Sequence, residues 1–255
     1  MTGRPKAAHP LLPPLSIRAW LRYDTISRIL DELEPKTILE VGCGQGALGA
    51  RLATRAAYTG VEPDPSSFRV AKDRIESCGG HAINGTDQAV PVDDTFDLVC
   101  AFEVLEHIED DQGALKSWSR RVRPGGSLLL SVPAWQDRFG PMDENVGHFR
   151  RYNPEELSSK LTSAGFADAH VTVYGWPLGF ALEAVRNRVD GKKLAKAKVN
   201  GASAAELTAA SGRTFQPPNP WVGRGVQIAT TPFRIAQRAR PGSGIGLVAV
   251  AKLKV

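Results

Sequence analysis

The chain has 255 residues, 42% hydrophobic and 23% charged, which is enough apolar material for one sizeable core and argues against wholesale disorder. Three widely spaced cysteines, Cys43, Cys78 and Cys100, form no C-x-x-C pair, which argues against a disulfide framework or a cysteine zinc site and suits a reducing cytoplasm. The net charge of +5 is uneven: Arg186 to Arg240 hold eleven Lys or Arg against Asp190 and Glu206, a net +9 that leaves −4 for the rest. Such a basic segment suits an anionic partner (a phosphorylated substrate, an acidic membrane surface or nucleic acid) or is a solvated surface.

Met1 to Pro14 is rich in Pro and Ala and lacks the apolar centre of a secretory signal, so residues 1–15 read as a flexible arm. Apolar residues at Ile17, Trp20, Leu21, Ile26, Ile29, Leu30 and Leu33 predict a helix that Pro35 ends. Thr37 to Val41 reads as a buried strand, Gly42 to Gly46 as a tight loop, and Leu48 with Leu52 as one face of a helix. Strands are expected at 57–61, 81–84, 96–102, 127–132, 169–174 and 244–255, with a helix at 68–77 and one beginning at Glu103. Pro124-Gly125-Gly126 predicts a turn, and Asn153-Pro154-Glu155-Glu156 a capped helix start that Gly165 closes.

Strands alternating with helices predict an α/β, Rossmann-like, doubly wound sheet of seven strands, mostly parallel, over residues 16–174 and 244–255. The last strand is expected to be antiparallel. Residues 175–243 form a connection too long to be a plain loop and read as an inserted cap or association segment. Its Ala-, Lys- and Gly-rich middle, Asp190 to Arg213, is expected to be partly disordered. No run of about 18 apolar residues occurs, so no transmembrane helix is expected.

The strongest chemical signal is Ile38-Leu39-Glu40-Val41-Gly42-Cys43-Gly44-Gln45-Gly46. A strand here delivers glycines to a helix start, where a ligand can approach the backbone and free N–H groups await an anion. Glu62, twenty residues beyond Gly42 at the next strand end, stands where an acid grips ribose hydroxyls in nicotinamide and adenosylmethionine sites alike.

Four stretches in order together resemble the class I S-adenosylmethionine-dependent methyltransferases, in the bacterial group that includes quinone-biosynthesis and small-molecule enzymes. They are Glu40 to Gly46, Gly60-Val61-Glu62-Pro63-Asp64, Phe96 to His107, and Arg123 to Leu130. The resemblance implies S-adenosylmethionine as cofactor, with Glu40, Gly42, Cys43, Gly44 and Gly46 around its methionine and ribose parts, and Glu62 and Pro63 at the ribose. It implies adenine recognition near Thr86 and Asp87, where Gly85-Thr86-Asp87 departs from the family's usual Gly-Asp-Ala. Ala101 and Phe102 would lie beside the methionine part, with His107 nearby. The acceptor would be a small molecule, with a sugar, lipid-linked or otherwise anionic compound in view.

Ligands of open α/β sheets sit at the carboxyl ends of the strands, so the loop after the fifth strand is the place for substrate chemistry. His148 is the first candidate general base, and its alternative role is to pin the loop by hydrogen bonding. Tyr152 is a second catalytic candidate, with Trp135 and Arg151 as substrate contacts. Glu103-Val104-Leu105-Glu106-His107 lacks the first histidine of a metalloprotease helix, so no metal is expected. An NAD(P)-dependent oxidoreductase and a non-catalytic methyltransferase-like binding protein stay open as alternatives. A nucleic-acid substrate finds no supporting module, and the oligomeric state is open.

Overall fold

Alternation along the strands builds the sheet's two faces. In β1 (Thr37–Val41), Ile38 packs into one core cluster and Leu39 and Val41 into the other; in β4 (Phe96–Phe102), Leu98, Cys100 and Phe102 face the first while Val99 and Ala101 face the second. Such double-sided burial marks a central parallel strand covered by helices on both faces. The computed structural model describes residues 12–200 and 220–254, with side chains for 12–192 and 221–254.

The remaining strands are β2 (Ala57–Glu62), β3 (His81–Asn84), β5 (Val122–Pro133), β6 (Phe166–Gly175) and β7 (Gly244–Leu253). Their order is β3-β2-β1-β4-β5-β7-β6, with β7 antiparallel to both neighbours and the other pairs parallel. The chain winds outward one way from β1 through β2 and β3 and the other way from β4 through β5. The crevice at the carboxyl ends of β1 and β4 is therefore the switch point at which such sheets bind ligands. The expected doubly wound architecture is the one observed.

Helices α1 (Ile17–Leu33), α2 (Gly49–Ala53) and α3 (Pro65–Glu76) cover one face through Leu21, Ile26, Leu30, Leu52, Ala71 and Ile75. Helices α4 (Asp111–Ser119) and α6 (Pro154–Ser163) cover the other through Leu115, Trp118, Leu157 and Leu161. A short α5 (Pro141–Val146) lies between β5 and α6. The described part of the long insertion is two helices, α7 (Leu178–Asn200) and α8 (Pro220–Arg238). α7 packs on α5 and α8 on α1. Gln237 of α8 donates to the Leu21 carbonyl at 2.9 Å, and Arg238 pairs with Asp24.

Four expectations need correction. No helix begins at Glu103: its φ of 58° bends the chain away from β4, a single tight turn covers Leu105–His107, and α4 starts only after the Asp110 cap. Glu103 and His107 therefore share no helical face. Pro124-Gly125-Gly126 does not separate elements but turns as a bulge within β5, where pairing jumps from Phe96–Val122 to Leu98–Ser127 and Gly125 has a φ of 74°. Asp190 to Asn200, expected to be partly disordered, is helical within α7, and Gly201 to Arg213 lie outside the described residues. Of the expected flexible arm, residues 1–11 lie outside the described part; Leu15 is buried and the Pro13 carbonyl accepts from Arg51 at 2.6 Å.

At the opposite end of the sheet, Asp97 Oδ2 accepts the Lys36 and Thr37 amides at 2.7 and 3.0 Å, and Arg123 pairs with the same carboxylate. Burial opposes its charge, but these partners outweigh burial and hold Asp97 below its ordinary range. A lowered folded pKa stabilises the fold above the unfolded pKa of about 3.9, and that contribution disappears as pH falls through the folded value. Asp97→Ala should cost about 1–3 kcal/mol at pH 7. Urea denaturation of both proteins from pH 7 to pH 3 should show the gap narrowing as the acid range is entered; a gap independent of pH would contradict this.

Candidate active site

Three glycines shape the loop between β1 and α2. Gly42, Gly44 and Gly46 all have positive φ, 70°, 56° and 72°, where a side chain is disfavoured. Their surroundings differ. A Cβ on Gly46 would come within 2.9 Å of the Ala71 backbone, and one on Gly42 within 2.6 Å of Val104, whereas Gly44 faces open space. Gly42 and Gly46 thus let the loop pack closely against its neighbours, and Gly44 presents bare backbone to the crevice.

Glu62, at the end of β2, closes the crevice from the side. Its carboxylate accepts the Gly44 amide at 2.8 Å on one oxygen and the Asp64 amide at 2.9 Å on the other. Burial pushes its carboxyl above the ordinary value, against those two bonds. A carboxylate offers about four acceptor positions, so two remain for a diol. An anchored acid with spare lone pairs beside uncovered glycine backbone fits the ribose of an adenosine cofactor. Pro63 is exposed next to it, and the Asn84 side chain donates to the Glu62 carbonyl at 2.8 Å.

The other expected cofactor residues divide by exposure. Glu40 is buried beneath the loop and accepts the Tyr58 hydroxyl at 2.6 Å; burial pushes its carboxyl up to about 7, against that bond and the charge of Arg22. Cys43 is buried in the core with its thiol raised by burial. Ala101 and Phe102 are buried at the end of β4. Asp87 is buried and accepts the Ser117 hydroxyl at 2.6 Å, leaving Thr86 as the exposed side chain of the pair.

The loop after β5 folds back over the ends of β4 and β5. Buried Asp143 organises it, accepting Arg151 at 2.6–3.0 Å, the Gly140 amide at 2.9 Å and His148 Nδ1 at 2.7 Å. Burial works against its charge, but the bonds from His148 and Arg151 outweigh it and hold Asp143 at about 2. His148 Nδ1 is therefore the donor in that pair, and its Nε2 lies 3.8 Å from Glu106 Oε1. The rings of His148 and His107 meet edge to face at 4.6 Å. Burial lowers His107 to about 4, with His148 adding to the effect. Glu106 is fully buried and neither of its oxygens has a hydrogen-bond partner; burial, then the charge on Glu103, push its carboxyl well above the ordinary range.

Three expected contacts are already engaged within the protein. Arg151 is 1% exposed and is shared between Asp143 and Glu183 Oε1, the latter at 2.5 Å, so its guanidinium is turned inward rather than toward a substrate. Tyr152 is fully buried and donates to Asp111 at 2.9 Å, which pins the loop. Trp135 donates its indole N–H to the Gly244 carbonyl at 2.9 Å, tying the loop to β7. Burial explains the first two: a polar group taken from water must be paired inside.

Several residues of the site escape sequence reading. Arg22 of α1 pairs with Glu103 at 3.1 Å, and the Ser131 hydroxyl donates to the same carboxylate at 3.0 Å. Although burial alone would raise Glu103, Arg22 and Arg18 hold it below its ordinary value. Asp143 and Glu183 likewise carry no local motif. A surface concavity of about 610 Å³ lined by Leu30, Asp31, Glu34, Lys36 and Arg55 holds none of the candidate residues.

Residues 17–171 match the family model described as a methyltransferase domain, more than half of the chain. The chain belongs to this methyltransferase family. Its fold and motifs are those of the class I S-adenosylmethionine-dependent enzymes. It is 30% identical over 153 residues to a ubiquinone biosynthesis O-methyltransferase of Methylobacterium sp. (strain 4-46), covering 53% of this chain and 61% of that one. The mitochondrial ubiquinone biosynthesis O-methyltransferase of Schizosaccharomyces pombe is 36% identical over 120 residues, covering 44% of each. The methyltransferase chain thus spans about half the length of the curated relatives it matches. The N-methyltransferase NodS from Bradyrhizobium japonicum, solved with S-adenosyl-L-homocysteine, shares the fold with a TM-score of 0.55 at 17% identity, over 92% of this chain and 86% of that one.

Removing the guanidinium that Asp143 and Glu183 share would leave Asp143 to His148 and the Gly140 amide, and Glu183 to Arg138 alone. Arg151→Met should lower stability by about 3–5 kcal/mol, measured by chemical denaturation. A change below about 1 kcal/mol would show that the pairing is dispensable.

Proposed function

We propose that this methyltransferase moves the methyl group of S-adenosylmethionine onto a hydroxyl oxygen of a small-molecule acceptor, and that His148 activates that hydroxyl. The observation that carries the reading is Glu62, fixed by two backbone amides beside the uncovered Gly44, with the Asp143–His148 pair in the loop that folds over the neighbouring strand ends. The bound cofactor supplies an activated methyl group on a sulfonium. The protein's part is to align the acceptor, exclude water and manage its proton. As the new O–C bond forms and the S–C bond breaks, the hydroxyl proton must leave. Asp143 fixes the ring of His148 for that task. Val104, which packs on Gly42, is in the same short segment as Glu106 and His107, so the glycine loop and the acid–histidine cluster are neighbours. The O-methyltransferase names of the two relatives favour oxygen over nitrogen as acceptor. Glu62→Ala should weaken S-adenosylhomocysteine binding about 10–100-fold by calorimetry (~1.4–2.7 kcal/mol). His148→Ala should keep that binding within about threefold and lose on the order of 100-fold or more in turnover. Weakened cofactor binding in the His148 variant alone would assign the residues the other way round.

We further infer an anionic or lipid-linked acceptor presented at an acidic surface. The support is the net +9 of Arg186 to Arg240 together with α8, where Trp221, Ile228 and Ile235 stand exposed at seven-residue spacing opposite buried Gly223, Thr230 and Gln237. Arg224 and Arg238 are exposed on the same helix. An apolar stripe beside cations is the pattern of a helix lying in a membrane interface. No described helix is long and apolar enough to cross a membrane. The chain should co-sediment with vesicles containing phosphatidylglycerol but not with pure phosphatidylcholine, and 0.5 M salt together with Trp221→Ala should reduce the bound fraction. Equal partitioning to both lipids, or none at low salt, would contradict the inference.

A further inference from the structure

The sequence gives Glu106-His107 no metal partner, because no second histidine stands at helical spacing. The fold supplies one from another loop. Donor atoms of Glu106, His107 and His148 all lie within 4.8 Å of one another. Two imidazoles and one carboxylate are a ligand set for zinc-class divalent ions, with a fourth position left open.

The outer partners are in place as well. His148 Nδ1 donates to Asp143 at 2.7 Å, so the neutral ring carries its lone pair on Nε2, turned toward Glu106. The Gly147 backbone offers the His107 ring a polar partner, which would leave the other nitrogen to ligate. Metal-binding histidines are oriented in this way, by a carboxylate or a carbonyl on the far nitrogen. Glu103 is held by Arg22 and Ser131 and is not required as a ligand.

The independent observation is the state of Glu106. It is fully buried, its two oxygens have no hydrogen-bond partner, and it faces a histidine nitrogen that is itself an acceptor. Two acceptors 3.8 Å apart in a buried place require either a proton or a cation between them. A tetrahedral zinc site with bonds of about 2.0–2.2 Å separates neighbouring donors by about 3.3–3.6 Å, so modest side-chain movement closes the set.

We propose that Glu106, His107 and His148 bind one divalent transition ion of the zinc class at the carboxyl ends of β4 and β5. In its use the site deepens the methyl-transfer reading and rests on it: an ion there would polarise the acceptor hydroxyl as a Lewis acid, and His148 would activate the acceptor by holding that ion. Ion binding itself does not depend on that reading.

The test uses untagged full-length protein, stripped with a chelator and dialysed. It is titrated with Zn²⁺ by calorimetry and with Co²⁺ by visible absorption, and with S-adenosylhomocysteine in parallel. The expected result is one Zn²⁺ per chain with micromolar or tighter affinity and visible Co²⁺ bands of a four- or five-coordinate site, with no competition from millimolar Mg²⁺. Glu106→Gln and His148→Asn should each weaken Zn²⁺ at least about 30-fold (~2 kcal/mol) while retaining S-adenosylhomocysteine binding, which shows that they fold. His81→Ala, at an exposed histidine on β3, should change nothing. Absence of stoichiometric Zn²⁺ binding, with the cofactor product still bound, would overturn the proposal in favour of a proton shared by Glu106 and His148, and would leave the methyltransferase reading intact. Zn²⁺ affinity unchanged in both variants would overturn it too, by placing the ion elsewhere.

Discussion

The loop that folds over the ends of β4 and β5 depends on one buried carboxylate. Asp143 draws the Gly140 amide, the Arg151 guanidinium and the His148 ring to itself, and Arg151 passes the constraint on to Glu183 of α7. Such a cluster is weak evidence for net stability, since desolvating the charges costs much of what their attraction returns. Its value is geometric. Removing Asp143 would strand the buried Arg151 guanidinium against Glu183 alone, so the loop after β5, helix α5 and the start of the insertion are held in one arrangement. His148 inherits both its tautomer and its direction from that arrangement.

The glycine loop rests on a different constraint. At the switch point the chain must turn sharply out of β1 and still leave backbone uncovered, and Gly44 meets both demands while Gly42 and Gly46 let the loop pack against Val104 and Ala71. Glu62 is reached from the neighbouring strand and locked by the loop's own amide. Sheet topology thus brings together two residues eighteen positions apart in sequence, and packing of Val104 on Gly42 joins this half to the acid–histidine cluster.

Much of this was legible in the sequence where a signal is local. Strand alternation gave the seven-stranded sheet, and the glycine loop with Glu62 gave the crevice at the switch point, because the spacing of residues within a strand–loop–helix unit is fixed by backbone geometry. A helix is expected from Glu103 directly after β4, whereas the chain turns there through positive φ and carries Glu106 inward. Arg151 and Tyr152 looked like site residues because polar groups in a loop near strand ends usually face solvent or ligand; their partners Glu183 and Asp111 lie on other elements, which no local pattern shows. Arg22 was hidden for the same reason, as one polar residue on an amphipathic helix until the fold sets it against Glu103.

Hydrogen exchange of the full chain with and without S-adenosylhomocysteine tests the central claim, that the crevice between β1 and β4 is the cofactor site. The account predicts slowed exchange confined to peptides spanning Gly42–Gly46, Val61–Asp64 and the turn after β3, with the concavity by Asp31 and Arg55 unchanged. Protection centred on that concavity, or none at ligand concentrations that bind by calorimetry, would contradict it.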